Sequence, residues 1–180
     1  SAVTTSLWEQ QLQKDFEEDS PKNVSITSQG EVMLAPKLES FFADTQEIYM
    51  WCLAEDSHGN IYAGTGNGGK LYRITPDGQS SLFYDSPEVS ILSLAVDASD
   101  NVYAGTAPDG LIYKITGEGV PPKTLFSAEE KYVWAMTLVY AGKLYAATGT
   151  NGKIYKITPT GETSVLFDSQ ESNILCLLYH

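Results

Sequence analysis

A repeat of 41 or 42 residues is the feature that most constrains the fold of this chain. Three segments share a Tyr-Ala-Gly/Ala-Thr run that is followed, ten residues after its tyrosine, by Tyr-Lys/Arg-Ile-Thr. The first tyrosine recurs at Tyr62, Tyr103 and Tyr145, and the second at Tyr72, Tyr113 and Tyr155. Several columns that stay in phase over three units indicate an array of one supersecondary unit.

Each unit reads as four short strands, a to d, joined by tight turns. The Tyr-Ala-Gly-Thr run lies on strand b, the Tyr-Lys/Arg-Ile-Thr run lies on strand c, and strand d ends in an aromatic residue. Gly, Asn, Asp and Pro between the strands supply the backbone conformations that hairpins require. Four antiparallel strands at this period are typical of a propeller blade. We therefore predict an all-β propeller of four-stranded antiparallel blades, each of about 41–42 residues.

The repeat also predicts how the chain is divided. Residues 1–22 form an N-terminal extension, residues 23–47 supply strands b, c and d of a partial blade, and residues 172–180 supply strand a of a further or ring-closing blade. Two arrangements stay open: a closed four-bladed ring, or a fragment of a larger propeller that self-associates through its open blade faces. Complete blades are predicted for residues 48–88, 89–130 and 131–171.

The repeated tyrosine runs resemble bacterial β-propeller repeat proteins of the NHL, two-component-regulator-propeller and WD-repeat-like group. The resemblance covers about residues 48–169. It implies the architecture and leaves the activity open, because this group includes protein-binding scaffolds, sensor ectodomains, lactonases and lyases.

Composition excludes several partners. The chain carries 23 acidic residues against 11 Lys and Arg, for a net charge of −12. A nucleic-acid partner is not expected, since such binding requires cationic surface. Membrane insertion is not expected either, because no apolar run approaches about 20 residues. The small, polar first residues favour an exported location over a cytoplasmic one without assigning a compartment.

The sequence offers little for catalysis. Its two histidines, His58 and His180, cannot be placed in a triad or a metal-ligand cluster. Cys52 and Cys176 occupy one repeat position in strand a, which predicts packing residues. The Gly-x-Gly-x-x-Gly match at 64–69 precedes a strand and predicts a hairpin turn. We predict no catalytic residue, no metal site and no cofactor.

The candidate binding residues come from a second repeat, in the connections from strand d to the next strand a. A glutamate recurs there at intervals of 41, 42 and 41 residues. In a meander of four strands these connections share one face with the b-to-c loops, and strand a begins beside them. Two interpretations compete, a site for a protein or a small cationic ligand and a set of capping, solubilising residues. The predicted site residues are Glu47, Glu88, Glu130, Glu171, Asn67, Asp109, Asn151, Tyr49 and Tyr132.

These features predict a non-catalytic binding or scaffold module that engages its partner on this loop face. One alternative is a metal-dependent hydrolase or lyase of the lactonase type, with a metal in the central channel. That alternative requires non-repeated polar residues on strand a, and only Glu55 and Asn173 lie near that path. A structural oligomerisation domain is the other alternative.

Overall fold

The computed structural model describes residues 24–26, 29, 31–35, 47–127 and 129–179. The chain divides into two compact units, residues 1–41 and residues 42–180. The described part of the first unit is an antiparallel hairpin of β1 (Val24–Ile26) and β2 (Val32–Leu34). The predicted N-terminal extension and the predicted strand d at residues 41–44 lie outside the described residues.

The second unit contains three four-stranded antiparallel sheets, in which the strands neighbour one another in chain order. This up-and-down order is that of a propeller blade, and it confirms the predicted all-β fold class. Blade 1 consists of β3 (Met50–Glu55), β4 (Ile61–Thr65), β5 (Lys70–Ile74) and β6 (Ser80–Asp85). Blade 2 consists of β7 (Ser90–Val96), β8 (Val102–Ala107), β9 (Leu111–Ile115) and β10 (Lys123–Ser127). Blade 3 consists of β11 (Tyr132–Val139), β12 (Lys143–Gly149), β13 (Lys153–Ile157) and β14 (Thr163–Asp168).

The core lies between the blades. One apolar cluster joins blades 1 and 2 around Leu71 and Ile91, and a second joins blades 2 and 3 around Ile112 and Val133. Blade 2 is therefore covered on both sides, and every residue of β8 is buried. Burial on both faces explains why strand b reads as a run of small and apolar residues instead of alternating with polar ones. No helix in the described ranges is long and apolar enough to cross a membrane.

Each inner strand carries an irregularity at the same repeat position. The pairing of strand a with strand b shifts register there, which leaves one extra residue on strand a: Trp51, Leu92 or Trp134. The small residue that follows points to the next blade, because Cys52 Sγ contacts the Ile91 carbonyl oxygen at 3.6 Å and Ser93 Oγ donates to the Val133 carbonyl oxygen at 2.8 Å. Burial raises the pKa of the Cys52 thiol to about 12, as suits a packing residue.

An aspartate holds the a-to-b turn in blades 1 and 2. Asp56 accepts hydrogen bonds from the backbone amides of His58 and Asn60, from the Asn60 side chain and from the Tyr62 hydroxyl. Asp97 makes the equivalent bonds with Ser99, Asn101 and Tyr103. Burial raises the pKa of both aspartates, but the hydrogen bonds outweigh it and leave each pKa below its ordinary value. Blade 3 replaces this turn with a short 3-10 turn, Tyr140–Gly142.

The C-terminal segment differs from its prediction as strand a of a further blade. Asn173 forms one antiparallel bridge with Gly149, and residues 174–179 form no strand. In each blade, strand a is held by the strand b that follows it in the chain, and no described strand pairs with this segment in that way. Cys176, predicted to be a packing residue, is exposed for the same reason.

Candidate binding face

The d-to-a connections and the b-to-c loops meet on one face, as the strand order requires. Glu130 accepts hydrogen bonds from the backbone amides of Thr150 at 2.9 Å and Asn151 at 2.8 Å, and from the Asn151 side chain at 3.2 Å. Glu88 accepts one from the backbone amide of Asp109 at 3.2 Å. The structure thus joins predicted site residues in two pairs, and each glutamate caps the b-to-c loop of the blade that follows it.

The backbone of the same connections packs against the preceding blade. A Cβ atom added at Gly110 would lie 2.0 Å from the Glu130 carbonyl oxygen, and one at Gly152 would lie 2.1 Å from that of Glu171. Both glycines have φ near +60°, which adds a second reason for glycine. The connections of Glu88 and Glu130 therefore fit between two successive b-to-c loops, with the backbone against one, at Gly69 or Gly110, and the carboxylate against the other.

This geometry changes the interpretation of the repeated glutamates. Glu88 is 7% exposed and Glu130 is 3% exposed, so neither presents a free carboxylate on the surface. Glu47 is half-buried and forms an ion pair with Lys70 Nζ at 2.7 Å. Only Glu171 among the four is exposed. The structure supports the capping interpretation for Glu88 and Glu130, because both buried carboxylates accept hydrogen bonds from turn amides.

Two aromatic pairs stand where strand a leaves this face. The rings of Tyr49 and Trp51 stack with centroids 5.7 Å apart and planes 22° apart, and those of Tyr132 and Trp134 stack at 5.0 Å and 20°. Tyr49 is 49% exposed and Trp51 is 54% exposed, whereas the pair in blade 3 is half-buried. Strand a thus presents aromatic ring surface beside the b-to-c loops.

The tryptophans are seated on glycines of their own blades. A Cβ atom added at Gly66 would lie 2.3 Å from Trp51 Nε1, and one at Gly149 would lie 2.5 Å from Trp134 Nε1. Blade 2 carries Leu92 and Ala107 at the two equivalent positions. Gly66 lies in the 64–69 segment that predicts a hairpin turn, and its contact with Trp51 is indicated only by the paired exchange of Trp and Gly for Leu and Ala between blades.

The remaining predicted residues lie at the edge of the same face. Asn151 and Glu171 both line a polar cleft of about 480 Å³ at the end of blade 3, together with Lys153. Asn67 is exposed in the b-to-c loop of blade 1, with φ +59°. The cleft is therefore lined both by Asn151, which is bound to Glu130, and by the exposed Glu171.

A cluster of potential metal ligands lies at the opposite end of the strands, in the a-to-b turns. It comprises Asp56, His58 and Asp100, and His58 is the one histidine among the described residues. Asp100 accepts hydrogen bonds from the backbone amide and hydroxyl of Ser57, and His58 Nδ1 lies 3.1 Å from Asp100 Oδ2. The carboxylates of this cluster accept hydrogen bonds within the a-to-b turns. The cluster is not part of the candidate face, because it lies at the opposite end of the strands.

Comparisons with known proteins support the fold described above. The profile of the family described as two component regulator propeller matches residues 44–67, a span that ends in the b-to-c loop of blade 1. No curated protein matches the sequence. Virginiamycin B lyase from Staphylococcus aureus is a structural neighbour with a TM-score of 0.60 and 19% identity, over 79% of this chain and 47% of the lyase. A candidate gluconolactonase has a TM-score of 0.65 and 15% identity, over 87% of this chain and 66% of that protein.

These findings confirm the prediction of a bacterial-type β-propeller repeat protein. A streptogramin B lyase structure gives the same answer, with a TM-score of 0.60 and 19% identity over 79% of this chain and 46% of that one. At these identities the likeness defines the fold alone. The chain spans about half the length of the lyases that it matches.

Proposed function

We propose that this chain is a non-catalytic binding module that engages its partner on the face of the d-to-a connections and b-to-c loops. The observation that carries the proposal is the pair of stacked Tyr–Trp platforms at the start of strand a. Exposed tryptophan and tyrosine rings provide a large contact area at low conformational cost, which is why they are enriched at the centres of binding surfaces.

The placement of the titratable side chains in the described part of the chain favours a binding role. Among the described residues the one histidine, His58, lies in a turn at the opposite end of the blades. On the candidate face, Glu88 and Glu130 are buried and occupied by backbone amides, so they are poorly suited to transfer protons or hold a metal. The face offers aromatic surface and exposed polar groups, and these recognise ligands without reacting with them.

An enzyme is the second candidate, because the structural neighbours include two lyases and a candidate gluconolactonase. One neighbour is a catalytically inactive virginiamycin B lyase solved with quinupristin. A hydrolase or lyase of the lactonase type would place a divalent metal in the central channel. Elemental analysis of the purified chain after dialysis separates the candidates, because one tightly held divalent ion per chain would favour the enzyme.

Isothermal titration calorimetry with a defined probe panel tests the binding role. The panel contains an arginine-containing peptide, benzyltrimethylammonium, the neutral sugar cellopentaose and quinupristin. The informative variant, called the blade 1 swap, combines Trp51→Leu with Gly66→Ala and so copies the Leu92 and Ala107 pair of blade 2. The matched control is Tyr140→Ser, which removes an aromatic residue that is 90% exposed at the opposite end of blade 3.

The proposal expects at least one probe to bind the chain and the control equally and to bind the blade 1 swap at least about tenfold more weakly. Mass spectrometry of the recovered probe is expected to show an unchanged mass. Conversion of any probe would contradict the non-catalytic role. Equal binding to the chain and to the swap would contradict the assigned face.

A further inference from the structure

The two aromatic platforms, Tyr49 with Trp51 and Tyr132 with Trp134, occur in blades 1 and 3 but not in blade 2. The residue at or just before the start of strand a is tyrosine in blades 1 and 3 and serine in blade 2, and the bulged residue is tryptophan in blades 1 and 3 and leucine in blade 2. The strand b residue beneath the bulged residue follows the same order, glycine in blades 1 and 3 and alanine in blade 2. The residues are Tyr49, Ser90 and Tyr132; Trp51, Leu92 and Trp134; and Gly66, Ala107 and Gly149.

Blade packing does not account for this alternation. Cys52 and Ser93 contact the next blade, and their column continues with Ala135 in blade 3, so this column does not alternate between aromatic and aliphatic residues. Leu92 with Ala107 fills the platform position in blade 2, so a blade forms without the aromatic pair, while in blade 3 Trp134 Nε1 also donates to Asn173 Oδ1 at 2.9 Å. The alternation is confined to the end of strand a that opens on the candidate face, and this location indicates a role in recognition.

The structure places the two platforms on either side of one inner strand. Strand β7 contacts both β3 and β11, so Ser90 and Leu92 lie between the pair of blade 1 and the pair of blade 3. Packed sheets stand about 10 Å apart, so two platforms separated by one blade lie within about 20 Å of each other. A single extended ligand can reach both.

The charge of the surrounding loops defines the ligand. The d-to-a connections and b-to-c loops between residues 47 and 172, together with the strand ends that border them, hold eight carboxylates against three lysines, Lys70, Lys131 and Lys153. The carboxylates outnumber the lysines, so this face has an excess of formal negative charge. A cation is also the group that a tryptophan or tyrosine face attracts. The carboxylates are Glu47, Asp85, Glu88, Asp109, Glu129, Glu130, Asp168 and Glu171.

We propose that this face binds a basic peptide segment through two cationic side chains, one on each Tyr–Trp platform. The inference rests on the proposed function and adds the class of partner and the number of contact points. An extended chain advances about 3.3 Å per residue, so two arginines separated by four residues span about 17 Å, which lies within the bound of about 20 Å between the platforms.

The test uses three synthetic hexapeptides with Gly and Ser in the middle four positions. One has arginine at both ends, one has arginine at one end and neutral citrulline at the other, and one has citrulline at both ends. Joining two weak contacts in one chain multiplies their effect, so the two-arginine peptide is expected to bind at least about tenfold more tightly than the one-arginine peptide. Added salt is expected to weaken this binding.

Variants locate the two contacts. We test the blade 1 swap and the blade 3 swap, which combines Trp134→Leu with Gly149→Ala. Each swap is expected to lower the affinity for the two-arginine peptide to that of the unaltered chain for the one-arginine peptide. Tyr140→Ser is expected to leave the affinity for the two-arginine peptide unchanged. Circular dichroism and thermal unfolding of each variant verify that the fold is retained. In the blade 3 swap the Asn173 side chain must move, since Gly149 Cβ would meet its Oδ1.

The outcomes separate this inference from the proposed function. Equal affinity for the two-arginine and two-citrulline peptides, or equal affinity for the two-arginine and one-arginine peptides, would overturn the inference. If quinupristin or cellopentaose then bound and lost affinity in the blade 1 swap, the binding module would stand with a different ligand. If no probe bound, both proposals would fall.

Discussion

The backbone amide of Asn151 donates to Oε2 of Glu130 at 2.8 Å, so a loop of blade 3 is held by the connection that leads into that blade. Thr150 donates to the same oxygen at 2.9 Å. Both glutamate and asparagine stand out in the sequence as candidate ligand contacts, yet here they bind each other. The pair shows how one repeated carboxylate can organise a surface without facing solvent.

Removal of the Glu130 carboxylate is expected to destabilise the fold. Glu130→Ala removes the carboxylate that accepts hydrogen bonds from the Thr150 and Asn151 amides, and a hydrogen bond to a charged group contributes about 1.5–3 kcal/mol. Urea unfolding followed by circular dichroism measures the change in the free energy of unfolding. Glu171→Ala is the control, because its carboxylate is exposed and a change within about 0.5 kcal/mol is expected. Equal stability of Glu130→Ala and the unaltered chain would show that the cap is dispensable.

The aspartate in the turn of blade 2 is expected to give the chain part of its acid sensitivity. The native pKa of Asp97 lies below its ordinary value, so its contribution to stability is complete above the unfolded pKa of about 3.9 and is lost as pH falls through the native pKa. Asp97→Asn is therefore expected to lower stability at neutral pH and to flatten the loss of stability in acid. Urea midpoints measured from neutral pH into acid test this, and an unchanged acid slope would refute it.

The hydroxyl that binds this aspartate has a matched comparison in blade 3. Tyr103→Phe removes the 3.0 Å hydrogen bond to Asp97 and is expected to cost about 0.5–1.5 kcal/mol. Tyr145→Phe alters the same repeat position in blade 3, where Val139 replaces the aspartate, and is expected to change stability little. Urea unfolding of both variants measures the difference. A larger loss for Tyr145→Phe would mean that the hydroxyls stabilise the blades by another route.

Glycine at the closed end of the b-to-c loop of blade 2 is expected to be required for two separable reasons. Gly110→Ala combines a positive φ with a Cβ atom 2.0 Å from the Glu130 carbonyl oxygen. Gly119→Ala has a similar φ of +72° but meets no atom within 4 Å, so it isolates the backbone cost of about 1–2 kcal/mol. In thermal unfolding, the melting temperature of Gly110→Ala is expected to be well below that of Gly119→Ala. Equal melting temperatures would show that the two backbones are not in close contact.

The two cysteines are expected to differ in reactivity. Cys176 is exposed, whereas burial raises the pKa of Cys52 to about 12 and keeps it as an unreactive thiol. Titration with Ellman's reagent is expected to detect one thiol per native chain and both thiols in denaturant. Rapid reaction of both thiols in the native chain would contradict the packing of blade 1 against blade 2.

The sequence predicted the blades because each strand is encoded locally. The tyrosine runs, the spacing of 41 or 42 residues and the turn glycines specify strands b and c without reference to distant residues. The shared face of two loop sets also followed, since antiparallel strand order fixes which loops lie together.

Other features depend on partners that are distant in the chain, and sequence reasoning could not supply them. Glu130 is buried because amides about 20 residues away require an acceptor. Asn173 forms one bridge with Gly149, and no strand among the described residues pairs with its segment as a strand b would. The seat of Trp51 on Gly66 was available from the exchange with Leu92 and Ala107, but it becomes visible only when blades 1 and 2 are compared position by position.

The central claim is that the Tyr–Trp platforms form the binding surface of this module. Its most direct test is calorimetric titration of the probe panel into the chain and into a variant that carries both swaps, at Trp51, Gly66, Trp134 and Gly149. We predict that at least one probe binds the unaltered chain and loses at least about tenfold in affinity in the variant, while both proteins remain folded. Equal affinity for both proteins would contradict it, and so would the failure of every probe to bind.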